Sequence, residues 1–182
     1  FWEDFGRSLA NLHKHTAVEF GLNHDNYIGS LKQSNSKCRS WVPFFIEERL
    51  EPQVQMASLP SDIEKMFSKL YDRLEDIVPS ESPALLHGDL WSGNYMTSAR
   101  GEPTLIDPAV YYGHREMDIG MTKLFGGFAE PFYSAYNSVF PMESGWEARV
   151  DICNLYPLMV HVNLFGGSYL SQVNSILNKF TA

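Results

Sequence analysis

Strand-forming sequence is confined to one short stretch of this 182-residue chain, about residues 84 to 106, with helical periodicity on either side. Ala84 to Leu86, Asn94 to Thr97 and Thr104 to Ile106 have β character, and Arg100-Gly101 supplies a hairpin turn between the last two. A chain so patterned reads as mainly α, of α+β type: a short β-hairpin set among helices.

The helices announce themselves by spacing. Trp2, Phe5, Leu9 and Leu12 mark one face of a helix over about residues 1 to 15, whose last turn holds His13, Lys14 and His15. Cations there suit the negative end of the helix dipole better than they suit a metal. Residues 21 to 40 are rich in Gly, Asn, Ser and Asp and read as a long irregular loop. A second helix follows with Trp41, Phe44, Phe45, Leu50 and Val54, with Ser40 as its N-cap and Pro52 expected to kink or end it. Ser61 to Glu64 has the form of a capping box, and Ile63, Met66, Phe67, Leu70, Leu74 and Ile77 continue one stripe until Pro79 and Pro83. Beyond the β element, a helix runs from Asp118 through Leu124 and breaks at Gly126-Gly127. Residues 144 to 165 form the longest helical candidate, with Pro157 inside it, and a last helix spans about 168 to 180.

Composition narrows the function classes. With 44% apolar and 14% aromatic residues the chain is that of a folded protein, one domain in which roughly 70% of the unfolded surface can be buried. A formal charge of −8 without a Lys/Arg stripe argues against nucleic acid as a partner. Cys38 and Cys153 are too few for a disulfide framework and read as reduced thiols. No run of 18 apolar residues and no basic leader is present, so neither a membrane partner nor export is expected, and a cytoplasmic location is.

The chemistry concentrates in residues 87 to 107: His87-Gly88-Asp89-Leu90-Trp91-Ser92-Gly93-Asn94, then Ile106-Asp107-Pro108. Two carboxylates and a carboxamide at these offsets can serve phosphoryl transfer. Asp89 can orient a substrate hydroxyl and take its proton late in a loose transition state, while Asn94 and Asp107 offer oxygen ligands to Mg²⁺ bridging nucleotide phosphates. An Asp followed five residues later by an Asn, with a metal-binding Asp further on, is the form of the kinase catalytic loop. His87 reads as a structural residue beneath the loop, because the chemistry needs one base. Asp118 stands near a helix start, where it can cap amides; in kinase-like folds an Asp so placed braces the catalytic loop.

The loop resembles that of kinases of small molecules, such as aminoglycoside and choline kinases. Further segments narrow the likeness: Asp25-Asn26-Tyr27-Ile28-Gly29, Trp41-Val42-Pro43-Phe44-Phe45, Arg49-Leu50-Glu51-Pro52-Gln53, Asp107-Pro108-Ala109-Val110-Tyr111-Tyr112-Gly113-His114-Arg115-Glu116, and Phe125-Gly126-Gly127-Phe128 with Phe132 to Tyr136. Together these resemble the fructosamine (ketosamine) kinase family across nearly the whole chain. The resemblance implies a protein-kinase-like C-terminal lobe over residues 1–182 and ATP-dependent phosphorylation, with Mg²⁺, of a sugar hydroxyl on a ketosamine. That modification destabilises the adduct and makes such a protein a deglycation enzyme. The family's N-terminal β-rich lobe finds no counterpart in the strand pattern. The chain is therefore expected to be a piece lacking the nucleotide-binding lobe, inactive alone, with that lobe of the same protein as its partner. For substrate contacts the expected residues are Trp91, His24, Asp25 and Tyr112, with Tyr111 and His114 near the cleft floor. The rivals are another small-molecule kinase and a non-catalytic helical binding module.

Overall fold

The computed structural model describes residues 1–181. Helix α1 (Trp2–His13) opens the chain and is followed by a hairpin of β1 (Asn26–Ile28) and β2 (Leu31–Gln33). Next come α2 (Trp41–Phe44), a π-helical stretch (Phe45–Leu50), α3 (Glu51–Ala57), α4 (Ser61–Tyr71) and α5 (Leu74–Ile77). Strands β3 (Ala84–Leu86), β4 (Tyr95–Thr97), β5 (Pro103–Leu105) and β6 (Tyr111–Gly113) occupy the middle. Helices α6 (Glu116–Leu124), α7 (Glu130–Val139), α8 (Trp146–Phe165) and α9 (Leu170–Thr181) complete the chain, with a 3₁₀ turn (Gly167–Tyr169) before the last.

The β content differs from the sequence reading in two ways. The segment 21 to 40 is not wholly irregular: β1 and β2 pair antiparallel with Ile28 opposite Leu31 across a Gly29-Ser30 turn. In the middle, the strands make two sheets where one hairpin was expected. β4 pairs with β5, while β3 pairs with β6, which the sequence pattern did not reveal. The His-Gly-Asp loop thus runs from one sheet to the other, and Asp107 lies on the return path between them.

Several helix ends also depart from expectation. Pro60, not Ser61, occupies the N-cap of α4, and no side-chain cap bond forms at Ser61 or Ser40. The stripe through Ile77 is broken at Asp72-Arg73 into α4 and α5. Pro52 does not end its helix. It sits in the first turn of α3 after the π-helical stretch, and Arg49 Nη1 donates to the carbonyl of Glu48 at 2.9 Å, the acceptor that an N–H at position 52 would have used. Pro157 lies inside α8, which runs unbroken for 20 residues.

Two apolar clusters hold these elements. The larger joins the region from α2 to α4 with β3, β6, α8 and α9 through Phe44, Phe67, Leu86, Tyr111, Leu155, Leu158 and Val173. The smaller joins α1, α6 and α7 through Phe5, Leu9, Ala10, Ile119, Phe132 and Tyr136, and it also takes in Leu90. Leu86 and Leu90 therefore pin the two ends of the His87–Asp89 turn in different clusters. Each such burial is worth about 1.5–3 kcal/mol. Among the described residues no helix is long and apolar enough to cross a membrane.

Candidate active site

Gly88 sets the shape of the turn. Its φ of +82° and the carbonyl oxygen of Ala109, 2.1 Å from where a Cβ would lie, leave room for no other residue. The backbone N–H groups of His87 and Gly88 both donate to the Asp118 carboxylate, at 2.8 and 2.9 Å. Asp118 lies in the first turn of α6 and is buried, so it braces this loop across 30 residues of sequence and caps no helix end of its own.

His87 ties the Asp89 and Asp107 positions into one frame. Its Nε2 donates to the carbonyl of Ile106 at 2.9 Å, its own carbonyl accepts from Ala109 N–H at 2.9 Å, and Nδ1 accepts from Asp89 N–H at 3.3 Å. Asp107 is thus clamped from both sides by one residue. With Nδ1 accepting and Nε2 donating to a carbonyl, the ring is a neutral tautomer with both nitrogens engaged.

Asn94 joins Asp89 to the return strand. Its side-chain amide donates to both the backbone carbonyl and the Oδ2 of Asp89, at 2.8 and 2.9 Å, while its backbone carbonyl accepts from Ile106 N–H at 3.1 Å. Burial pushes the Asp89 carboxyl above its ordinary value, and the Asn94 bond only partly offsets this. Asp107 is exposed, holds a φ of +50° that a non-glycine residue seldom adopts, and has no side-chain partner among the described residues. Its carboxylate and the Oδ1 of Asn94 are hard oxygen donors without a hydrogen-bond partner among the described residues, the latter on the side chain that holds Asp89.

That donor set fits a magnesium ion. Among the described residues no cluster of three or more His, Cys, Asp or Glu could hold a metal unaided. Mg²⁺ is commonly held by one or two protein oxygens with water and substrate phosphates completing the octahedron.

A cavity of about 200 Å³ opens beside Asp89, lined by Trp91, Ile28, Met121, His161 and Phe165 among others. A second, of about 330 Å³, continues it between Trp91, Phe125, His161, Phe165 and Tyr169. Trp91 is 38% exposed and its ring lies over Gly93, where a Cβ would meet it at 2.4 Å. His161 Nδ1 donates to the Pro157 carbonyl at 2.7 Å, which leaves Nε2 as the ring nitrogen available to the cavity. Sequence reasoning missed His161. The only available signal was its place one turn beyond Pro157 in the largely apolar second half of α8.

Of the residues expected to touch a substrate, only Trp91 lines this cavity. Asp25 accepts from Asn35 N–H at 3.0 Å and the His24 carbonyl accepts from the Asn35 amide at 3.1 Å, so both serve the turn around β1. Tyr112 bridges Gly21 and pairs with Leu85. Tyr111 is wholly buried under Arg49, and His114 is buried against the Pro79 carbonyl. His13, read from the sequence as a dipole-suited cation in the last turn of the first helix, is buried and bonded to Asp118 Oδ2 at 3.1 Å.

A family model described as fructosamine kinase matches residues 1–182. A protein of Enterococcus faecium assigned as a ketoamine kinase is 45% identical over 183 residues, covering 97% of this chain and 66% of that protein. A chloroplastic protein-ribulosamine 3-kinase of Arabidopsis thaliana is 40% identical, over 97% of this chain and 56% of its own length. The crystal structure of a Thermobifida fusca protein assigned as a fructosamine-3-kinase matches with a TM-score of 0.93 at 37% identity, covering 97% of this chain and 63% of that one. An amicoumacin kinase in complex with AMP-PNP, Ca²⁺ and Ami matches with a TM-score of 0.57 at 16% identity, a likeness of fold alone. The mainly helical architecture is thus kinase-like, and the chain spans about two thirds or less of the length of these relatives.

Proposed function

This chain belongs to the fructosamine kinase family, and from that premise we propose that the whole protein phosphorylates a sugar hydroxyl of a ketosamine at the expense of ATP. The observation that carries the reading is the Asn94 side chain, which holds the Asp89 carboxylate through its amide while its backbone holds the strand end that bears Asp107. Base and metal ligands are thereby one rigid unit.

In this reading the acceptor lies in the Trp91–His161 cavity with its hydroxyl against Asp89. The hydroxyl oxygen bonds to the γ-phosphorus of ATP, the bond from that phosphorus to the bridging oxygen breaks, ADP leaves, and the hydroxyl proton passes to Asp89. The raised Asp89 pKa helps it keep that proton. Asn94 Oδ1 and Asp107 would hold Mg²⁺, which when bound neutralises phosphate charge. His87 and Asp118 carry no proton to the substrate; they hold the loop. The aromatic wall of Trp91, Phe125 and Phe165 offers the apolar stem of a glycated amine a face on which to pack.

The test is phosphate transfer by the full-length protein from Mg²⁺-ATP to a synthetic fructosamine and a ribulosamine, with an aminoglycoside and choline as controls. Asp89→Asn should lower the turnover about 10²- to 10⁴-fold with the circular dichroism unchanged. Preferred transfer to an aminoglycoside or to choline would move the protein to another acceptor class. Full biological activity in Asp89→Asn would make it a non-catalytic module.

A further inference from the structure

Behind the catalytic loop lies a file of polar groups that phosphoryl transfer does not itself use. Tyr136 on α7, His13 on α1 and Asp118 on α6 are 1%, 0% and 1% exposed. The Tyr136 hydroxyl lies 2.7 Å from His13 Nδ1, His13 Nε2 lies 3.1 Å from Asp118 Oδ2, and Asp118 in turn receives the His87 and Gly88 amides. Neither α1 nor α7 lines the cavity beside Asp89.

Packing alone does not call for these residues. His13 stands four positions beyond Leu9 on the buried face of α1, where a leucine would continue the apolar stripe, and buried ionisable groups seldom stabilise a core better than apolar ones do. What the file does is orient a carboxylate. An ionised Asp118 only accepts, and the two loop amides fix one oxygen each. Oδ2 needs a further donor to stay in its plane against α6, and His13 Nε2–H supplies it. That leaves Nδ1 as an acceptor, which the Tyr136 hydroxyl fills, so the tautomer is set from the far side. The same bond helps hold Asp118 ionised despite its burial.

We propose that His13 and Tyr136 are positioning residues for the base: through Asp118 they set the His87–Gly88 backbone and hence where the Asp89 carboxylate sits. The inference rests on the reading of Asp89 as the base. Its experiment has one arm that needs no substrate. Amide hydrogen exchange at His87 and Gly88, followed by NMR in the full-length protein, should quicken about 10-fold or more in His13→Leu, beyond any change in the rest of α1. In the transfer assay kcat should fall about 10- to 100-fold with both KM values within about 3-fold, and His13→Gln, which keeps a donor at similar reach, should recover most of both effects. Tyr136→Phe, which removes only a hydroxyl, should shift both readouts in the same direction by less.

Unchanged exchange at the two amides in His13→Leu, or the same loss of kcat in His13→Gln as in His13→Leu, would overturn the proposal. Should His13→Leu fail to fold, Tyr136→Phe decides: a lowered kcat at constant KM supports the file and an unchanged kcat refutes it. Absence of transfer by the parent protein would instead count against the phosphotransferase reading, and the exchange arm would still judge the link from His13 to the loop.

Discussion

Asp89 is held where its charge is disfavoured. Burial raises its pKa, and the Asn94 amide, first among the opposing influences, does not cancel that. The sign of this strain gives a prediction. Above the raised folded-state pKa the ionised carboxylate destabilises the folded protein; as pH falls through that value toward the unfolded one near 3.8 the penalty disappears. Asp89→Asn, of equal size and uncharged, should therefore match or exceed the parent in thermal stability at pH 7, with the advantage shrinking on acidification. A lower melting temperature at pH 7 than the parent would count against a strained carboxylate. The activity profile follows from the same group: kcat/KM should fall on the acid side through a pKa above the ordinary carboxylate range. Asp107 is strained differently, in its backbone. Its φ of +50° is flanked by the two His87 bonds on either side, which fix the backbone at the residue proposed as a metal ligand.

At the level of elements, the contact of α1 with α7 is the closest helix packing near the site. Gly6 lies against α7 so tightly that a Cβ would come 2.1 Å from the Phe132 carbonyl oxygen and 2.9 Å from Tyr136 N. Gly6→Ala must push the helices apart, and it should cost about 1–3 kcal/mol in chemical denaturation in spite of alanine's better helix propensity. A stabilised Gly6→Ala would mean that the two helices are not held at this distance. The same pair shows what was legible in the sequence. α1, α8 and α9 could be read because their apolar residues recur at helical spacing over many turns. α7 could not, because Pro131, Ser134, Asn137 and Ser138 dilute a stripe that consists of Phe132, Ala135 and Tyr136 alone. The β1–β2 hairpin hid for a related reason: its inward residues include Asn26 and Gln33, whose amides bond to each other and to the carbonyls of Val110 and Ala109. A polar inward face gives no alternation to find. In the candidate site, spacing singled out Asp89, Asn94 and Asp107, whereas His13 and His161 come from helices more than 50 residues away in sequence and carry no local pattern.

Over the whole molecule, two largely buried ion pairs gather around the start of α6. Arg149 bonds Glu116, and Arg115 meets Glu81 bidentately at 2.7 and 2.8 Å while also donating to the carbonyls of Phe140 and Pro141. Arg115 thus ties the segment before β3 and the end of α7 to α6. Burial pushes Glu81 up, but the Arg115 guanidinium and its cationic neighbours more than reverse this and hold it below its ordinary 4.5; Asp118 is likewise held below its ordinary 3.8. Both groups have folded-state values under the unfolded ones. Their stabilisation is complete above the unfolded pKa and is lost as pH falls through the folded one, because the unfolded chain takes up its protons first. Urea unfolding between pH 3 and 7 should therefore show a plateau near neutrality and a steep decline below about pH 4.5. Glu81→Gln should lower the plateau by about 3 kcal/mol, since Arg115 loses its counter-charge but keeps two carbonyl acceptors. The same substitution should flatten the acid decline, one of the two titrating groups being gone. A variant with a lowered plateau and an unflattened slope would show that Glu81 is not ionised in the folded protein at neutral pH, and the acid sensitivity would then belong to Asp118 and the His87–Gly88 turn it braces.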